Sequence, residues 1–223
     1  MNRVLKPLQI LVYQDVLCAW CFIADQRLEP LRKEFAGMVT FRHRPYPLRL
    51  EEAPPSDKEV RDWVDEIKRA RKEPEGLRLT DSIWTTSGAD SPRSSVSALA
   101  ALEAAKLQGA EKRDALARSL QRAALEQGIN VTRPDVVFEL ASALGLDMNR
   151  FAAAYEAPQT RRLILEEHAL AADRGVKGVP ALVIGGRWML SGLKETAEYR
   201  EHILRCLEKA SLGAAGSPER LIH

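Results

Sequence analysis

The sequence predicts an α/β fold in which two sheet-forming segments flank an all-helical insert. Near the N-terminus, a short apolar run is followed by a helical pattern and then by a second strand pattern, which is the order of a βαβ unit. Near the C-terminus, two short strand patterns are joined by a Gly-Gly pair and followed by a helix. The long stretch between them shows helical periodicity and helix caps but no convincing strand.

The composition is that of an ordinary globular protein. Of the 223 residues, 45% are apolar and 29% are charged, so the chain can bury a sizeable core. Its length fits one domain with a large insertion as well as it fits two units. The 33 Lys and Arg residues nearly balance the 31 Asp and Glu residues, and the net charge of +2 excludes a dedicated nucleic-acid-binding protein.

The sequence favours the cytoplasm. No apolar run approaches the roughly 18–20 residues that cross a bilayer, and the first residues lack the apolar segment and cleavage site of a signal peptide. The odd number of cysteines, three, fits a reducing compartment better than a disulfide-stapled secreted scaffold. We therefore expect no nucleic-acid partner, no membrane partner, and a monomer or homodimer.

The first sheet-forming segment is a predicted βαβ unit. Residues 8–13 (LQILVY) form a short apolar run that is typical of a buried strand. Apolar residues at helical spacing follow, and Gly37 is expected to cap the end of that helix. Residues 38–46 alternate in polarity and predict a second strand. The two strands are expected to be parallel.

Helices are expected to fill the middle of the chain. Ser56 and Glu59 have the spacing of a capping box, in which each side chain binds the other residue's backbone N–H at a helix start. Ser91-Pro92 is expected to open an alanine-rich helix that ends near Gly109. Four further helices are expected: one ending near Gly128, one spanning residues 133–144, a short one containing Phe151 and Tyr155, and one spanning residues 158–175.

Strand character returns at residues 181–184 and 187–191, with Gly185-Gly186 as a two-residue hairpin turn between them. The last helix is expected to be amphipathic, and the tail from Ser211 is expected to fray. The apolar residues of that helix are Ile203, Leu204 and Leu207. The predicted division is a discontinuous sheet domain of residues 1–55 and 158–212, a helical insert of residues 56–157, and a flexible tail of residues 213–223.

Two cysteines lie between the first strand and the first helix, in the motif Cys18-Ala19-Trp20-Cys21. Two cysteines three apart at a helix start can be joined by a disulfide without backbone movement. The leading thiol also faces the free N–H groups and the positive end of the helix dipole, which favour a thiolate. Because the thiolate is the attacking species in disulfide exchange, this motif in a βαβ unit predicts a redox site.

The segment Gly175-Val176-Lys177-Gly178-Val179-Pro180 leads directly into the third strand. A proline at a strand entry cannot donate to the sheet, and an X-Pro bond adopts the cis form at modest cost. A cis Val179–Pro180 bond would expose the backbone N–H and C=O of Val179. An extended segment of a substrate could pair there, beside Cys18.

On these residues the chain resembles the thioredoxin superfamily, and within it the DsbA-like thiol–disulfide oxidoreductases of the FrnE type. The resemblance covers roughly residues 8–210. The matching features are Asp15 three residues before the first cysteine, the CAWC motif with its following Phe22-Ile23, the GVKGVP segment with its strand and hairpin, Ser191-Gly192, and a helical insert with an alanine-rich helix after Ser91-Pro92.

The resemblance implies a thioredoxin-like fold with a four-stranded mixed sheet and an insert that covers the CxxC edge. It also implies a redox-active cysteine pair that needs no organic cofactor. Two departures matter. The family usually has proline where this chain has Ala19, and the dipeptide between the cysteines tunes thiolate stability, so the family's reduction potential does not transfer. Many thioredoxin-fold proteins also have an acidic residue where this chain has Val12.

The expected function is thiol–disulfide exchange on a protein or small-molecule disulfide, and glutathione could serve as a co-substrate. Cys18 would attack and Cys21 would resolve the mixed disulfide. The direction stays open among oxidation, reduction and disulfide isomerisation. The residues expected to contact the substrate are Trp20, Val179 and Pro180. Asp15 could transfer protons or could cap the turn before the helix.

Two other functions stay open. The chain also resembles 2-hydroxychromene-2-carboxylate isomerases and kappa-class glutathione transferases, which would make it a glutathione-dependent isomerase or transferase. Those relatives typically have serine where this chain has Cys18. A non-catalytic, chaperone-like module would bind partners in the covered groove and would leave Cys18 inert.

Structural interpretations compete with these chemical ones. Cys18 and Cys21 could be buried apolar thiols, or they could join His202 and Cys206 in a Cys3His zinc site. The last helix is expected to pack away from the CxxC edge, so we expect no metal and assign Cys206 a structural role. His43 is expected at the surface. The tryptophans expected to serve packing are Trp63, Trp84 and Trp188.

Overall fold

The computed structural model describes residues 7–85 and 91–215, with side chains described through residue 210. The elements are, in chain order, β1 (Leu8–Gln14), α1 (Ala19–Glu34), β2 (Val39–Pro45), α2 (Asp57–Ala70), α3 (Ser82–Thr85), α4 (Val96–Lys106), α5 (Ala110–Leu125), α6 (Pro134–Ala143), α7 (Met148–Glu156), α8 (Pro158–Asp173), β3 (Ala181–Ile184), β4 (Trp188–Ser191) and α9 (Thr196–Ala215). A short 3-10 helix, Pro74–Gly76, lies between α2 and α3.

The four strands form one mixed sheet in the order β2-β1-β3-β4. β1 pairs with β2 in parallel, as predicted for a βαβ unit, and pairs with β3 antiparallel. β3 and β4 form an antiparallel hairpin. The hairpin turn is the predicted Gly185-Gly186, where φ is +58° and +69°, a conformation that residues with a Cβ rarely adopt. The fold is thioredoxin-like, as predicted.

Local signals set the ends of the first two helices. The Cys18 side chain caps α1, and the capping box predicted at the start of α2 is present. Ser56 Oγ accepts the Glu59 N–H at 3.3 Å, and Glu59 Oε2 accepts the Ser56 N–H at 2.7 Å. The chain leaves α1 through Gly37, at φ +81°.

The hydrophobic core lies on both faces of the sheet and within the helices between β2 and β3. One cluster packs α1 and α9 against the sheet, and another packs α8 against the opposite face. A third cluster joins the apolar residues of α2 to α8 with residues just before and within the first turn of α1, namely Val16, Leu17, Ala19, Phe22 and Ile23. The helices between the two sheet-forming segments therefore pack directly on the segment that carries the CxxC motif. The domain boundaries stay predictions.

The alanine-rich helix begins at Val96 and not at Ser91-Pro92 as predicted. The preceding serines bind the loop after β2, because the hydroxyls of Ser94 and Ser95 donate to the Arg49 carbonyl at 3.1 and 3.3 Å. Hydroxyl groups that bind the backbone in this way favour turns over helix interiors. The short helices Pro74–Gly76 and Ser82–Thr85 were not predicted, since three or four residues give no periodic signal.

The last helix buries Tyr199, Ile203 and Cys206, whereas Leu204, expected on the apolar face, is 45% exposed. The frayed tail was predicted from Ser211, but α9 continues to Ala215. The rest of that tail, residues 216–223, lies outside the described residues. Across the described ranges, each helix is too short or too polar to span a bilayer.

Candidate active site

Cys18 lies where β1 passes into α1, and it is the N-cap residue of that helix. Its backbone is extended, with φ −88° and ψ 112°, and its Sγ accepts the Cys21 N–H at 3.2 Å. The Cys18 side chain thus takes the position that Ser, Thr or Asp often occupies at a helix start. A negatively charged sulfur here would be stabilised by that N–H and by the positive end of the helix dipole.

Cys21 lies in the first turn of α1 and is more deeply buried than its partner, at 1% exposed against 6% for Cys18. Burial, together with the neighbouring Cys18 and the charge of Asp15, raises the pKa of the Cys21 thiol well above its usual range. Cys21 is therefore held as a neutral thiol. The two cysteines differ in burial, and Cys21 is the one held as a neutral thiol, as suits the resolving member of such a pair.

The segment before β3 faces Cys18 from across the fold. The Cys18 thiol donates to the Val179 carbonyl, with an Sγ–O distance of 3.7 Å. The Val179–Pro180 peptide bond is cis. Pro180 is buried, and its carbonyl accepts the Gly192 N–H at 2.9 Å. The structure thus brings the predicted residues Cys18, Cys21, Val179 and Pro180 to one place.

Asp15 is fully buried below this site. Its Oδ1 accepts the Leu17 N–H at 2.9 Å, so it does cap the turn before α1, and its Oδ2 accepts the Leu48 N–H at 2.7 Å. Burial raises the pKa of Asp15, and these two hydrogen bonds and that of Ser95 offset part of the rise. The turn-capping role is observed, and the proton-transfer role stays a prediction.

A cavity of about 320 Å³ opens beside Cys18, and we call it the thiol cavity. Its wall comes from the CxxC segment, the loop after β2, the helices α2 and α3, and the segment before β3. The residues that line it are Leu17, Cys18, Ala19, Trp20, Leu48, Arg49, Asp62, Trp63, Glu66, Ile67, Trp84, Gly178 and Val179. The helices between the two sheet-forming segments therefore supply one wall of the site.

Three tryptophans contribute to that wall. Trp20, expected to contact substrate, is half-buried, and its Nε1 donates to Glu66 at 2.5 Å. Trp63 and Trp84 were interpreted as packing residues, and their rings do pack, with centroids 4.3 Å apart. Both also line the thiol cavity. Residue type predicts that such rings pack but cannot show that one edge of the pair stays open beside Cys18.

Arg49 is a wall residue that the sequence analysis did not single out. Its guanidinium donates to the Arg93 carbonyl at 2.8 Å, to Glu59 at 2.7 Å and to the Ala53 carbonyl at 2.7 Å. It also lies over the Trp63 ring, 5.1 Å from the centroid. With its N–H groups engaged in this way, Arg49 holds the cavity wall together and offers little free charge to a ligand.

One predicted placement differs from the structure. His43, expected at the surface, has a side chain only 9% exposed, because the turn between α4 and α5 covers the edge strand β2 beside it. It does not line the thiol cavity. Cys206 packs in a core cluster that contains neither Cys18 nor Cys21. Within residues 7–85 and 91–215, no three His, Cys, Asp or Glu side chains are arranged to hold a metal ion.

Comparison with solved structures finds the same fold in proteins of low sequence identity. A protein from Nitrosomonas europaea assigned as a protein disulfide isomerase superposes with a TM-score of 0.78 at 18% identity, covering 92% of this chain and 99% of that one. The cytosolic disulfide reductase DsbM from Pseudomonas aeruginosa with GSH gives 0.67 at 19% identity, covering 93% and 100%. A 2-hydroxychromene-2-carboxylate isomerase gives 0.64 at 20% identity, covering 92% and 98%.

These similarities show the fold. A sequence search of curated proteins gives no significant match. Family comparison is more specific, because residues 9–204 match the DSBA-like thioredoxin domain. That match runs from β1 into the first half of α9 and includes the CxxC motif and the segment before β3. The chain therefore belongs to the family of DSBA-like thioredoxin domains.

Proposed function

We propose that this protein is a thiol–disulfide oxidoreductase in which Cys18 attacks and Cys21 resolves. The observation that carries the proposal is the position of the Cys18 sulfur. It caps α1, accepts the Cys21 N–H at 3.2 Å, and lies 3.7 Å from the Val179 carbonyl at the mouth of a cavity. A thiolate in this position is stabilised, and it is accessible to a substrate in the cavity.

In the first step, the Cys18 thiolate attacks one sulfur of the substrate disulfide. A Cys18–substrate disulfide forms, and the second substrate sulfur leaves as a thiolate. Cys21 then loses its proton and attacks Cys18 Sγ, so that a Cys18–Cys21 disulfide forms and the first substrate sulfur leaves. The substrate gains two electrons and the cysteine pair loses two. The reverse sequence oxidises a dithiol substrate.

The second step needs a base for the Cys21 proton, since burial keeps Cys21 neutral. Asp15 is the nearby candidate, because its charge raises the pKa of the Cys21 thiol and its own pKa is raised toward that of a usable base. We propose that Asp15 accepts this proton. Its two backbone hydrogen bonds, to Leu17 and Leu48, hold the carboxylate in place for that role.

The chemistry of the thiol cavity favours a peptide disulfide over glutathione. The cavity offers three tryptophans, and its two acidic side chains, Asp62 and Glu66, pair with Lys58 and Arg69 and offer no attraction to the two carboxylates of glutathione. The cationic side chain in the wall, Arg49, already has its partners. The Val179 backbone beside Cys18 would pair with an extended substrate segment. We therefore propose a protein or peptide substrate with an apolar residue near its disulfide.

The compartment and the rival functions are part of the same proposal. Cys206, the odd cysteine, is buried away from the pair, which supports a reducing compartment such as the cytoplasm. A glutathione-dependent isomerase would use Cys18 without Cys21, and a binding module would use neither. The role of Cys21 therefore separates all three functions.

The test is trapping of the mixed disulfide. Cys18→Ser should abolish reduction of a peptide disulfide, whereas Cys21→Ser should accumulate a Cys18–substrate adduct that mass spectrometry detects. Cys206→Ser is the matched control and should exchange disulfides like the wild type. If Cys21→Ser turned over normally, the resolving role would be wrong and a glutathione-dependent reaction would be favoured. If Cys18→Ser turned over normally, the redox assignment itself would be wrong.

A further inference from the structure

A second cavity, of about 250 Å³, lies beside the edge strand β2, and we call it the edge cavity. It is separate from the thiol cavity, with which it shares no wall residue. The turn between α4 and α5 closes it from the other side. The residues on which the argument depends are Arg42, His43, Arg44, Lys106, Arg113 and Asp114.

The wall of the edge cavity is positively charged. Four of its side chains are cationic, and Asp114 is its one acidic residue. Arg113 is buried and pairs with Asp114 at 3.0 Å. Arg42 is exposed and forms no ion pair with any described residue. The acids that pair with the other two cations, Glu167 and Glu103, lie outside the cavity wall. An anion in the cavity would therefore meet Arg42 unpaired and the other three cations with one acidic partner each.

The start of α5 adds to this charge. Ala110, the first residue of this 16-residue helix, lines the edge cavity, and no side chain caps the helix, because the N-cap residue is Gly109. The first backbone N–H groups of a helix have no partner within the helix and carry the positive end of its dipole. Such helix ends bind phosphate and other oxyanions.

His43 gives an independent indication of a ligand. Its Nε2 lies 3.3 Å from the Arg32 guanidinium, which can only donate, so Nε2 must accept and the ring proton must be on Nδ1. That Nδ1–H is buried and has no hydrogen-bond partner. Leaving a buried donor unpaired is costly. His43 is a wall residue of the edge cavity, and an acceptor oxygen that reached Nδ1 there would satisfy this donor.

The electrostatics of His43 agree with this geometry. Burial, and then the nearby cations Arg113, Arg32, Lys106 and Arg118, lower the pKa of His43 well below its usual range. The imidazole is therefore neutral at physiological pH. Burial disfavours a charge of either sign, whereas the contribution of the nearby cations is one that would favour an anion.

We propose that the edge cavity binds a small oxyanion of the phosphate type, held by Arg113, Lys106, Arg42 and the N-terminus of α5. The volume sets the size of the ligand. At about 250 Å³ the cavity is smaller than the roughly 300–1,000 Å³ of sites for drug-sized ligands. It suits inorganic phosphate or a small phosphate ester and not a nucleotide. This site is additional to the proposed redox function and does not depend on it.

The test is calorimetric titration of the full chain with inorganic phosphate, against chloride at equal ionic strength. The wild type should bind one phosphate. Lys106→Gln should weaken binding about tenfold or more, as expected for the loss of one charge-assisted hydrogen bond. Lys68→Gln is the matched control, because Lys68 also pairs with an acid three residues away but lies outside the edge cavity. It should bind like the wild type.

A second variant keeps the test sharp if Lys106→Gln folds poorly. His43→Phe removes the unpaired Nδ1 donor and also the Nε2 acceptor of Arg32, which keeps Asp25 as its partner, so without phosphate the stability should stay close to that of the wild type. The rise in melting temperature that phosphate gives the wild type should be reduced. The proposal is wrong if phosphate stabilises the wild type no more than chloride does, or if all variants bind it equally.

Two further arms identify the ligand. Glycerol 3-phosphate tests a small ester, and acetate tests a carboxylate. Binding of inorganic phosphate alone, or of both phosphate compounds, supports the site and sets its source. Binding of acetate as tightly as phosphate would overturn the assignment to phosphate chemistry. Cys18→Ser should bind phosphate normally, so failure of the redox proposal would not be mistaken for failure of this one.

Discussion

The thiol cavity and the edge cavity lie against the same four-stranded sheet and are chemically opposite. The thiol cavity has an aromatic wall with two acidic side chains, and its arginine, Arg49, is saturated with partners. The edge cavity has a cationic wall, and its arginine Arg42 is exposed and forms no ion pair with a described residue. A charged residue with several saturated hydrogen bonds, as in Arg49, has little to offer a ligand. Arg42 keeps its guanidinium free of ion pairs with described residues, and Lys106 and Arg113 each pair with one acid.

The arginines give the largest expected difference in stability. Arg49→Met removes three charge-assisted hydrogen bonds, one to α2, one to the segment before α4 and one within the loop after β2, and it should lower the free energy of unfolding by about 2–4 kcal/mol. Arg42→Met is the control, since exposed positions of this kind usually change stability by less than about 0.5 kcal/mol. Urea unfolding measures both. If both variants lost the same free energy of unfolding, the distinction between a structural Arg49 and a free Arg42 would be wrong.

The next prediction concerns pH, because each region contains a buried titratable group. His43 has a lowered pKa in the folded protein, so below about pH 6.5 the unfolded chain binds a proton that the folded protein does not. The free energy of unfolding therefore falls as pH falls from there toward the folded pKa. The groups that face His43 are Arg32 from α1, Lys106 from α4, and Arg113, Asp114 and Arg118 from α5.

The pH dependence of stability that we expect from Asp15 has the opposite sign. Its pKa is raised in the folded protein, so above about pH 3.9 the unfolded chain loses a proton that the folded protein still holds. Its contribution to stability is therefore lost as pH rises toward the folded pKa. Urea unfolding across pH should show the acid-side loss removed in His43→Phe and the loss with rising pH removed in Asp15→Asn. If both substitutions changed the pH dependence of the free energy of unfolding in the same direction, the opposite pKa shifts of His43 and Asp15 would be contradicted.

The smallest expected effect tests the acidic side chains of the thiol cavity. Glu66→Gln removes a negative charge beside Trp20 and should raise kcat/KM for glutathione disulfide by roughly two- to threefold at low salt. The gain should vanish at high salt, because ions screen a partly exposed charge. Asp65→Asn is the control, since Asp65 neighbours Glu66 on α2 and lies outside the cavity wall. A gain in Asp65→Asn of the same size would indicate a general charge effect.

Short-range signals predicted most of the fold and the centre of the candidate site. The capping box at Ser56 and the glycine hairpin each depend on residues a few positions apart, and the structure forms both as predicted. The CxxC motif at a helix start is also local. The segment before Pro180 is distant in sequence, but it was found because its glycines and proline mark a strand entry and because the resemblance to a known family includes it.

The features of the two cavities that the sequence did not predict share one physical cause, which is that long-range packing decides which surface is covered. His43 lies on an alternating strand, and the strand pattern alone places it at the surface. The turn between α4 and α5, distant in sequence, covers it. Trp63 lies on an apolar helix face that packing covers only in part. Arg49 has no motif at all, and its role depends on partners that only the folded chain brings together.

The core that joins α1 to the helices between β2 and β3 has a consequence for engineering and for evolution. Because Phe22 and Ile23 pack in the same cluster as those helices, the sheet-forming halves cannot be excised as a minimal redox module. Such a truncated protein would expose the apolar face of α1 to water and would tend to aggregate. Changes in substrate preference are more readily reached by exchanging side chains at the rim, such as Asp62, than by trading whole helices.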